Sequence, residues 1–446
     1  MIKALLVGNN SREHIIAEKI AETGDLYSFL SARNPGILRN SKGFRLGKIT
    51  DPSAVLDYAK EVQPDYVIIG SDDPIAAGVA DPLVANGFGV VAPLKELAKL
   101  ESDKAYAREF MEEYVKMGIP KNFRTKSASD AADYIDSIDD NFVVKPMGLT
   151  GGKGVKVMGQ QLHSKQEAIA YAREIIETKS DSGVGGVVIE EKLVGEEFSL
   201  QSFVDGDFFT PMPLAQDHKN AFENDEGPMT GGMGSYSDAN HLLPFITQID
   251  YEKALEIVQL TVSGIKKKTG KAFKGILYAQ FMATKNGPFI IEYNVRFADP
   301  ESMNVLLLLK NDFNRVCLAI AQGKLAEEKV EFEKMATVCK YLVPNGYPEK
   351  KETGHKLAID EQILSKIGVK TYYGGVEEKN GAYFTTGSRA VAVVSKGNSI
   401  AEAEEKVERG ISLINDPALR HRKDIATRQS LEGKQRRMEQ LKLNLL

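Results

Sequence analysis

From Ile290 to Glu301 the chain alternates Glu292, Asn294 and Arg296 with Ile291, Tyr293, Val295 and Phe297. That is the period-2 pattern of a half-buried strand, in which every second side chain points to the same face. A carboxylate and an amide oxygen two residues apart can reach one hard cation together. Mg²⁺ accepts such a pair, taking a few protein oxygens and completing its shell with phosphate oxygens and water. Arg296 adds the planar cation that suits a phosphoryl group or a carboxylate. These residues could bind and activate a metal–nucleotide. A polar sheet face with nothing bound would show the same alternation, so the neighbouring elements must decide.

Several segments could position such a nucleotide. Phe142 to Pro146 reads as a strand delivering Lys145 into the loop Gly148-Leu149-Thr150-Gly151-Gly152-Lys153-Gly154. Glycines let the backbone approach phosphates closely, and Lys145 and Lys153 can counter their charge. A Walker A loop would need Gly at 147 and Ser or Thr at 154; the chain has Met147 and Gly154, so a P-loop NTPase is excluded. Upstream, Glu101 to Ala105, with Lys104, opens a helix expected to run to about Met117, where Gly118-Ile119-Pro120 stops it. Downstream, an apolar strand ends in Glu190-Glu191-Lys192-Leu193, and a second strand carries Glu197. Such a strand end offers backbone groups to an adenine edge and carboxylates to ribose hydroxyls. Read alone, a solvated charge cluster explains it better.

At the N-terminus, Ile2 to Val7 is a buried-strand pattern ending in Gly8-Asn9-Asn10-Ser11-Arg12-Glu13-His14, and Ile15 to Ala21 follows a helical one. The N-terminus of a helix after a tight turn receives anions, and Arg12 adds a cation beside its free amides. A phosphate or sugar-phosphate would fit. G-x-G-x-x-G is absent, so this is not the dinucleotide fingerprint. A second strand, Tyr66 to Ile69, leads into Gly70-Ser71-Asp72-Asp73-Pro74 at the equivalent carboxyl end, where open parallel sheets bind ligands. Ordinary βα turns without a ligand are the competing reading.

Composition bounds the rest. A chain of 446 residues holds two to four domains, and 42% hydrophobic with 27% charged residues is ordinary for a globular protein. A formal charge of −5 speaks against nucleic acid as a partner. Cys317 and Cys339 are the only cysteines, and the six histidines form no H-x-x-x-H pair, which excludes a disulfide framework and a zinc enzyme. Met1 to Gly8 is too short an apolar run for a signal peptide, and no stretch approaches ~20 apolar residues, so no membrane span and a cytoplasmic location are expected.

The order lysine strand, glycine loop, E-E-K-L, acidic strand and E-x-N resembles the ATP-grasp superfamily. Within it the chain is similar to the phosphoribosylamine–glycine ligases, through Gln216-Asp217-His218-Lys219, Gly227 to Tyr236, Asn294 to Glu301, the G-x-x-x-R-E-H loop and Arg422-Lys423-Asp424-Ile425. The resemblance spans essentially the whole chain. It implies an ATP-dependent ligase that couples glycine to 5-phosphoribosylamine through glycyl phosphate, with Mg²⁺ or Mn²⁺. Carried over by position, Lys104 and Lys145 would bind ATP phosphates under a loop containing Gly151, Gly152, Lys153 and Gly154. Glu190, Glu191 and Leu193 would hold the adenine and Glu197 the ribose. Glu292 and Asn294 would ligate the metal, with Gln280 a third possible ligand. Arg296, Asp217 and the loop Thr230, Gly231, Gly232, Met233, Gly234 would frame the substrate end. Asn9, Arg12 and Glu13 would meet the phosphoribosylamine. His218 is a candidate general base, or an orienter beside Asp217. The chain departs from the family's usual pattern at Asn10, Ser11, the Ser71-Asp72-Asp73 loop, Pro146-Met147 and the neutral Gln280.

The expected fold class is α/β and α+β, multidomain: an N-terminal open parallel sheet over 1–101, an ATP-grasp region over 102–325 with a lid at about 120–190, a small α+β domain over 326–430, and a solvated helical tail over 431–446. A monomer or homodimer acting on small molecules is expected.

Overall fold

The apolar run at the N-terminus forms the strand Lys3–Val7, buried on both faces at the centre of a five-stranded parallel sheet. In this computed structural model, which describes residues 1–148, 154–178 and 184–445, the sheet order is Ser41–Leu46, Asp25–Leu30, Lys3–Val7, Tyr66–Ile69, Val90–Val91. The strand order reverses between Lys3–Val7 and Tyr66–Ile69, so the loops leaving these two strands lie side by side at a topological switch point. Helix Ser11–Ala21 starts earlier than its apolar period suggests. The cause is a capping box, in which the Asn10 N–H donates to Glu13 Oε2 at 2.6 Å. Gly8 sits at φ +142°, and a Cβ there would come 2.5 Å from Glu13 Cγ, so only glycine lets the turn close over that carboxylate.

The segment 122–191 has its own small core. Strands Asn122–Thr125, Val187–Glu191, Phe142–Pro146 and Lys156–Val157 form an antiparallel sheet backed by helices Ala128–Ser137 and Lys165–Glu177. Ile135, Phe142, Val144, Leu162 and Ile189 pack there as a cluster separate from the main core. Helix Lys99–Ser102 breaks at Asp103, whose side chain caps Lys104–Phe110, followed by a π-helical turn Met111–Val115.

The facing half is a second antiparallel sheet, ordered Phe208–Pro211, Glu196–Asp205, Lys274–Thr284, Gly287–Asn294, against the long helix Gln248–Thr269. Its register shifts where Gln280 pairs Glu292 and Phe281 pairs Ile290. This bulge leaves Ile291 unpaired and sends Ile290 into the core with Phe281, while Glu292 stays with Gln280 on the open face. Strict alternation would have put Ile290 on the same face as Glu292.

The third sheet joins distant parts of the chain: Gln216–Asp217, Gly234–Ser237, Ala336–Pro344, Val391–Gly397 and Val369–Tyr373, with Leu419–Arg420 added at one end. Helix Ile400–Ile414 covers it. The tail departs from the expected solvated helix: in Arg428–Lys442, Met438 and Leu441 are buried and Lys442 pairs with Asp250 at 3.0 Å. Among the described residues no helix is long and apolar enough to cross a membrane.

Candidate active site

The three sheets and the small antiparallel sheet of 122–191 meet around a cavity of about 240 Å³. Glu292, Asn294 and Arg296 line it together, as their spacing predicts, with Lys104 and Lys145, and with Asn10 and Arg12 from the start of the N-terminal helix. Burial alone would raise the Glu292 carboxyl; Lys219, Lys104, Lys145 and Arg296 outweigh it and hold the group at about 2, so it is an anion at neutral pH. Lys219 Nζ lies 3.7 Å from Glu292 and 3.9 Å from Glu197. Arg296 donates to Asn294 Oδ1 at 2.9 Å and pairs with Glu101 at 2.9 Å. Burial pushes Glu101 up to about 7, against the pull of Arg296, and its other oxygen accepts from the Val295 N–H at 2.7 Å.

The donor set fits a hard cation. Glu292 is ionised and Asn294 Oδ1 lies on the same face, which is enough protein for an ion that takes its remaining oxygens from phosphate and water. Among the described residues no three His, Cys, Asp or Glu side chains converge as an all-protein metal cage. Gln280 does not extend the set, because its Oε1 already accepts from Lys219 at 2.7 Å and Tyr278 at 3.1 Å while its amide donates to Glu197.

At the end of the cavity formed by Lys104 and Lys145, Glu190 is buried between Arg108 (2.6 Å) and Lys145 (2.5 Å); burial would raise it, but the two cations hold it at about 2. Glu191 and Leu193 lie outside the cavity lining. Strand alternation turns Glu191 away, where it accepts from the Lys121 N–H at 2.7 Å. Lys104 Nζ donates to the Gly148 carbonyl at 3.0 Å, and the Lys104 N–H to the Met147 carbonyl at 2.8 Å. Met147 itself is buried against Gly186, so the missing acid at that position faces the lid interior rather than the cleft. Gly154 accepts from the Tyr171 hydroxyl at 2.8 Å and does not line the cleft. Gly151, Gly152 and Lys153 lie outside the described residues.

The substrate end divides the sequence expectations. Thr230 and Gly231 line the cavity beside Asp217. Gly232, at φ +112°, packs so closely that a Cβ would meet Asp217 Oδ1 at 2.5 Å and Pro300 at 2.6 Å. Gly234 instead opens the strand Gly234–Ser237, and Met233, just before it, is fully buried. Burial, with Glu301 close by, pushes the Asp217 carboxyl well above its usual range. Arg12 lines the cavity; Glu13 does not, being wholly buried, where it orients Arg12 (2.7 Å) and the turn. Asn9 braces the loop toward the next strand, accepting from the Ala32 N–H at 3.3 Å, and Asn10 takes its place in the cavity.

His218 turns away from the reacting end. It follows Asp217 in an extended segment, so its ring points to the opposite side, into a neighbouring cavity. Burial, reinforced by Lys434, drives it down to about 3, and among the described residues neither ring nitrogen has a hydrogen-bond partner.

Sequence reasoning placed Asp72 in a ligand-facing loop, and Lys219, Asp299 and Glu301 in family motifs, without giving them a role, and it missed Arg108, Tyr278 and Arg389; these and Glu101 all stand in the cavity wall. Arg108 had a usable signal, since it stands one helical turn after Lys104 and shares its face. Arg389 had none: it comes from the C-terminal sheet and donates to the carbonyls of Gly231 (2.9 Å), Gly232 (2.8 Å) and Asp299 (3.1 Å).

Three family profiles match the chain in order: the N domain of phosphoribosylglycinamide synthetase over residues 2–101, its ATP-grasp (A) domain over 102–302 and its C domain over 337–428. A phosphoribosylamine–glycine ligase from Methanopyrus kandleri is 43% identical over 449 residues, 99% of this chain and 100% of the relative. The crystal structure of a phosphoribosylamine–glycine ligase from Thermotoga maritima superposes with a TM-score of 0.79 at 27% identity, covering 95% of this chain and 100% of that one. A biotin carboxylase domain from Hydrogenobacter thermophilus, solved with MgADP and bicarbonate, shares the fold at a TM-score of 0.73 and 12% identity, over 98% of this chain and 93% of that one. The cleft geometry, the ordered domains and full-length identity agree: the chain belongs to the phosphoribosylamine–glycine ligase family of ATP-grasp enzymes.

Proposed function

We propose that this protein is an ATP-dependent ligase that joins glycine to 5-phospho-β-D-ribosylamine through glycyl phosphate, giving glycinamide ribonucleotide, ADP and phosphate in de novo purine biosynthesis. The observation that carries this reading is a single cleft in which Lys104, Lys145 and an ionised Glu292 face Arg12 and the start of an 11-residue helix. One side suits polyphosphate and the other a sugar-phosphate.

Lys104 and Lys145 take phosphate oxygens of ATP. The Glu190–Leu193 segment takes the adenine through its backbone, and Glu197 the ribose hydroxyls. Glu292 and Asn294 hold Mg²⁺ or Mn²⁺, which when bound neutralises phosphate charge and aligns the phosphoryl group. In the first step a glycine carboxylate oxygen attacks the γ-phosphorus and the bond to the ADP oxygen breaks. Arg296, anchored on Glu101, faces that transfer with a fixed positive charge. In the second step the ribosylamine nitrogen attacks the glycyl carbonyl carbon, phosphate leaves, and the nitrogen gives up one proton. The departing phosphate is basic enough to take it, so the turned-away His218 is not required. Asp217 and Thr230 hold the glycine end, while Asn10 and Arg12 hold the ribosyl phosphate. Lid closure excludes water from the acyl phosphate.

We place the reaction in the cytoplasm, on a monomer or homodimer, and read 1–101, 102–325 and 326–430 as the substrate-phosphate, ATP-grasp and C-terminal domains. A coupled assay of ADP release with phosphoribosylamine tests the reading. Glycine should support release, and formate and bicarbonate should not. ADP release indifferent to glycine would overturn the assignment.

A further inference from the structure

The last helix, Arg428–Lys442, points four residues to one side: Lys434, Arg437, Met438 and Leu441 follow the i, i+3, i+4, i+7 spacing of a single face. Met438 and Leu441 are buried and anchor the helix. The two cations do something else. Lys434 Nζ lies 3.3 Å and Arg437 Nη1 3.4 Å from the carboxylate of Glu196, which is itself buried. The same Glu196 carboxylate accepts from the Gln216 amide at 3.5 Å, and that amide donates at 2.9 Å to the backbone carbonyl of Glu197. Gln216 is fixed from its other end by the Tyr236 hydroxyl, at 2.5 Å. Lys434, Arg437 and Glu197 also line one cavity of about 240 Å³, opposite Gln160 and Gln161 of the lid. A charge-assisted chain therefore runs from the terminal helix to the backbone of Glu197, the second residue of strand Glu196–Asp205.

We propose that Lys434 and Arg437 are positioning residues for the nucleotide: by holding Glu196 they set, through Gln216, the place of Glu197 and hence its grip on the ribose hydroxyls. This rests on the assignment of Glu197 to the ribose above. An uncompensated Glu196 would be drawn toward solvent, and Gln216, now its best remaining partner, would be pulled off the Glu197 carbonyl. The anchors Met438 and Leu441 are untouched by a change at 434 or 437, so the helix stays docked.

The test is direct binding of ATP, 2′-deoxy-ATP and 3′-deoxy-ATP by calorimetry, without glycine, in the full chain and in Lys434→Met/Arg437→Met. Steady-state assays in both proteins complement it. Arg428→Met, which loses only an exposed partner on the same helix, is the control, and Lys434→Arg should restore wild-type binding. Expected is roughly tenfold weaker ATP binding and a matching rise in KM for ATP, with kcat and KM for glycine unmoved. The deoxy analogues should bind both proteins alike, so the preference for ATP collapses in the double variant. Unchanged ATP affinity, or an equal loss for all three nucleotides, would overturn the positioning role. A wild-type protein without preference for ATP would overturn the ribose assignment and this inference with it. Failure of glycine-dependent turnover would overturn the proposed reaction alone, since the binding comparison does not use glycine.

Discussion

Two lysines, one buried and one partly exposed, separate the cleft of this molecule from its framework. Lys340, wholly shielded in the C-terminal sheet, places all three ammonium protons, on Glu404 (2.7 Å), Glu408 (2.6 Å) and the Lys423 carbonyl (3.0 Å). Lys219, at the cleft, makes one short hydrogen bond, to Gln280 at 2.7 Å, and meets Glu292 and Glu197 only at 3.7 and 3.9 Å. Lys340 has left water behind, whereas Lys219 keeps 19% of its side chain exposed. One has been fully repaid by fixed acceptors, whereas the other still has donors to offer a ligand. The same contrast divides Arg422, locked between Asp424 and Asp225, from Arg296, which shares one nitrogen between Asn294 and Glu101. A buried cation with every donor used specifies structure, and a partly exposed one with donors to spare is free to meet a ligand.

The contrast can be broken by experiment. Glu292→Gln should cut glycine-dependent ADP formation by about 10³-fold while leaving the melting temperature close to wild type, because it removes a charge that awaits a ligand. Near-normal turnover in the coupled assay would sink the metal assignment. Lys340→Met should do the reverse: it strands Glu404 and Glu408 and costs about 3 kcal/mol in a denaturant titration, with kcat per folded molecule unchanged. A smaller effect is expected from Glu101→Gln, which keeps a hydrogen-bond acceptor for Arg296 but removes the charge; kcat should fall about tenfold, with KM for ATP little altered.

The smallest effect concerns pH. His14 is buried against Tyr372 and Tyr373 and accepts from the Tyr373 N–H at 2.9 Å, and burial, with Arg39 and Lys370, holds it below the ordinary 6.5. A base depressed in the folded state takes up its proton only on unfolding. Stability is therefore intact above pH 6.5 and falls as pH drops below it, by about 1.4 kcal/mol per unit from this group. Denaturant midpoints at pH 7.5 and 5.5 measure the loss. His218, driven down to about 3, adds a slope of the same sign, so the variant His14→Gln should reduce the pH dependence rather than abolish it.

Much of the site was legible wherever it was local. The alternation of Glu292, Asn294 and Arg296, the Lys145 strand and the Arg12 turn all reached the cavity as their periods required. Local spacing failed where side-chain direction was decided by something else. Glu13 reads as a ligand but serves as half of a capping box; His218 and Glu191 stand next to cavity residues and so point the other way. The tail's Met438 and Leu441 were too sparse among charges to announce a buried face.

By itself the sequence determined many of the strands and turns, and the family, because these depend on backbone propensity and on motifs a few residues long. Only the tertiary structure decided which charges have their donors used up. It also brought Arg389 to the loop at Gly231 and tied Lys434 to Glu196, 238 residues away along the chain. Hydrogen bonding and burial depend on distance in space, and that distance is not written in the spacing of residues.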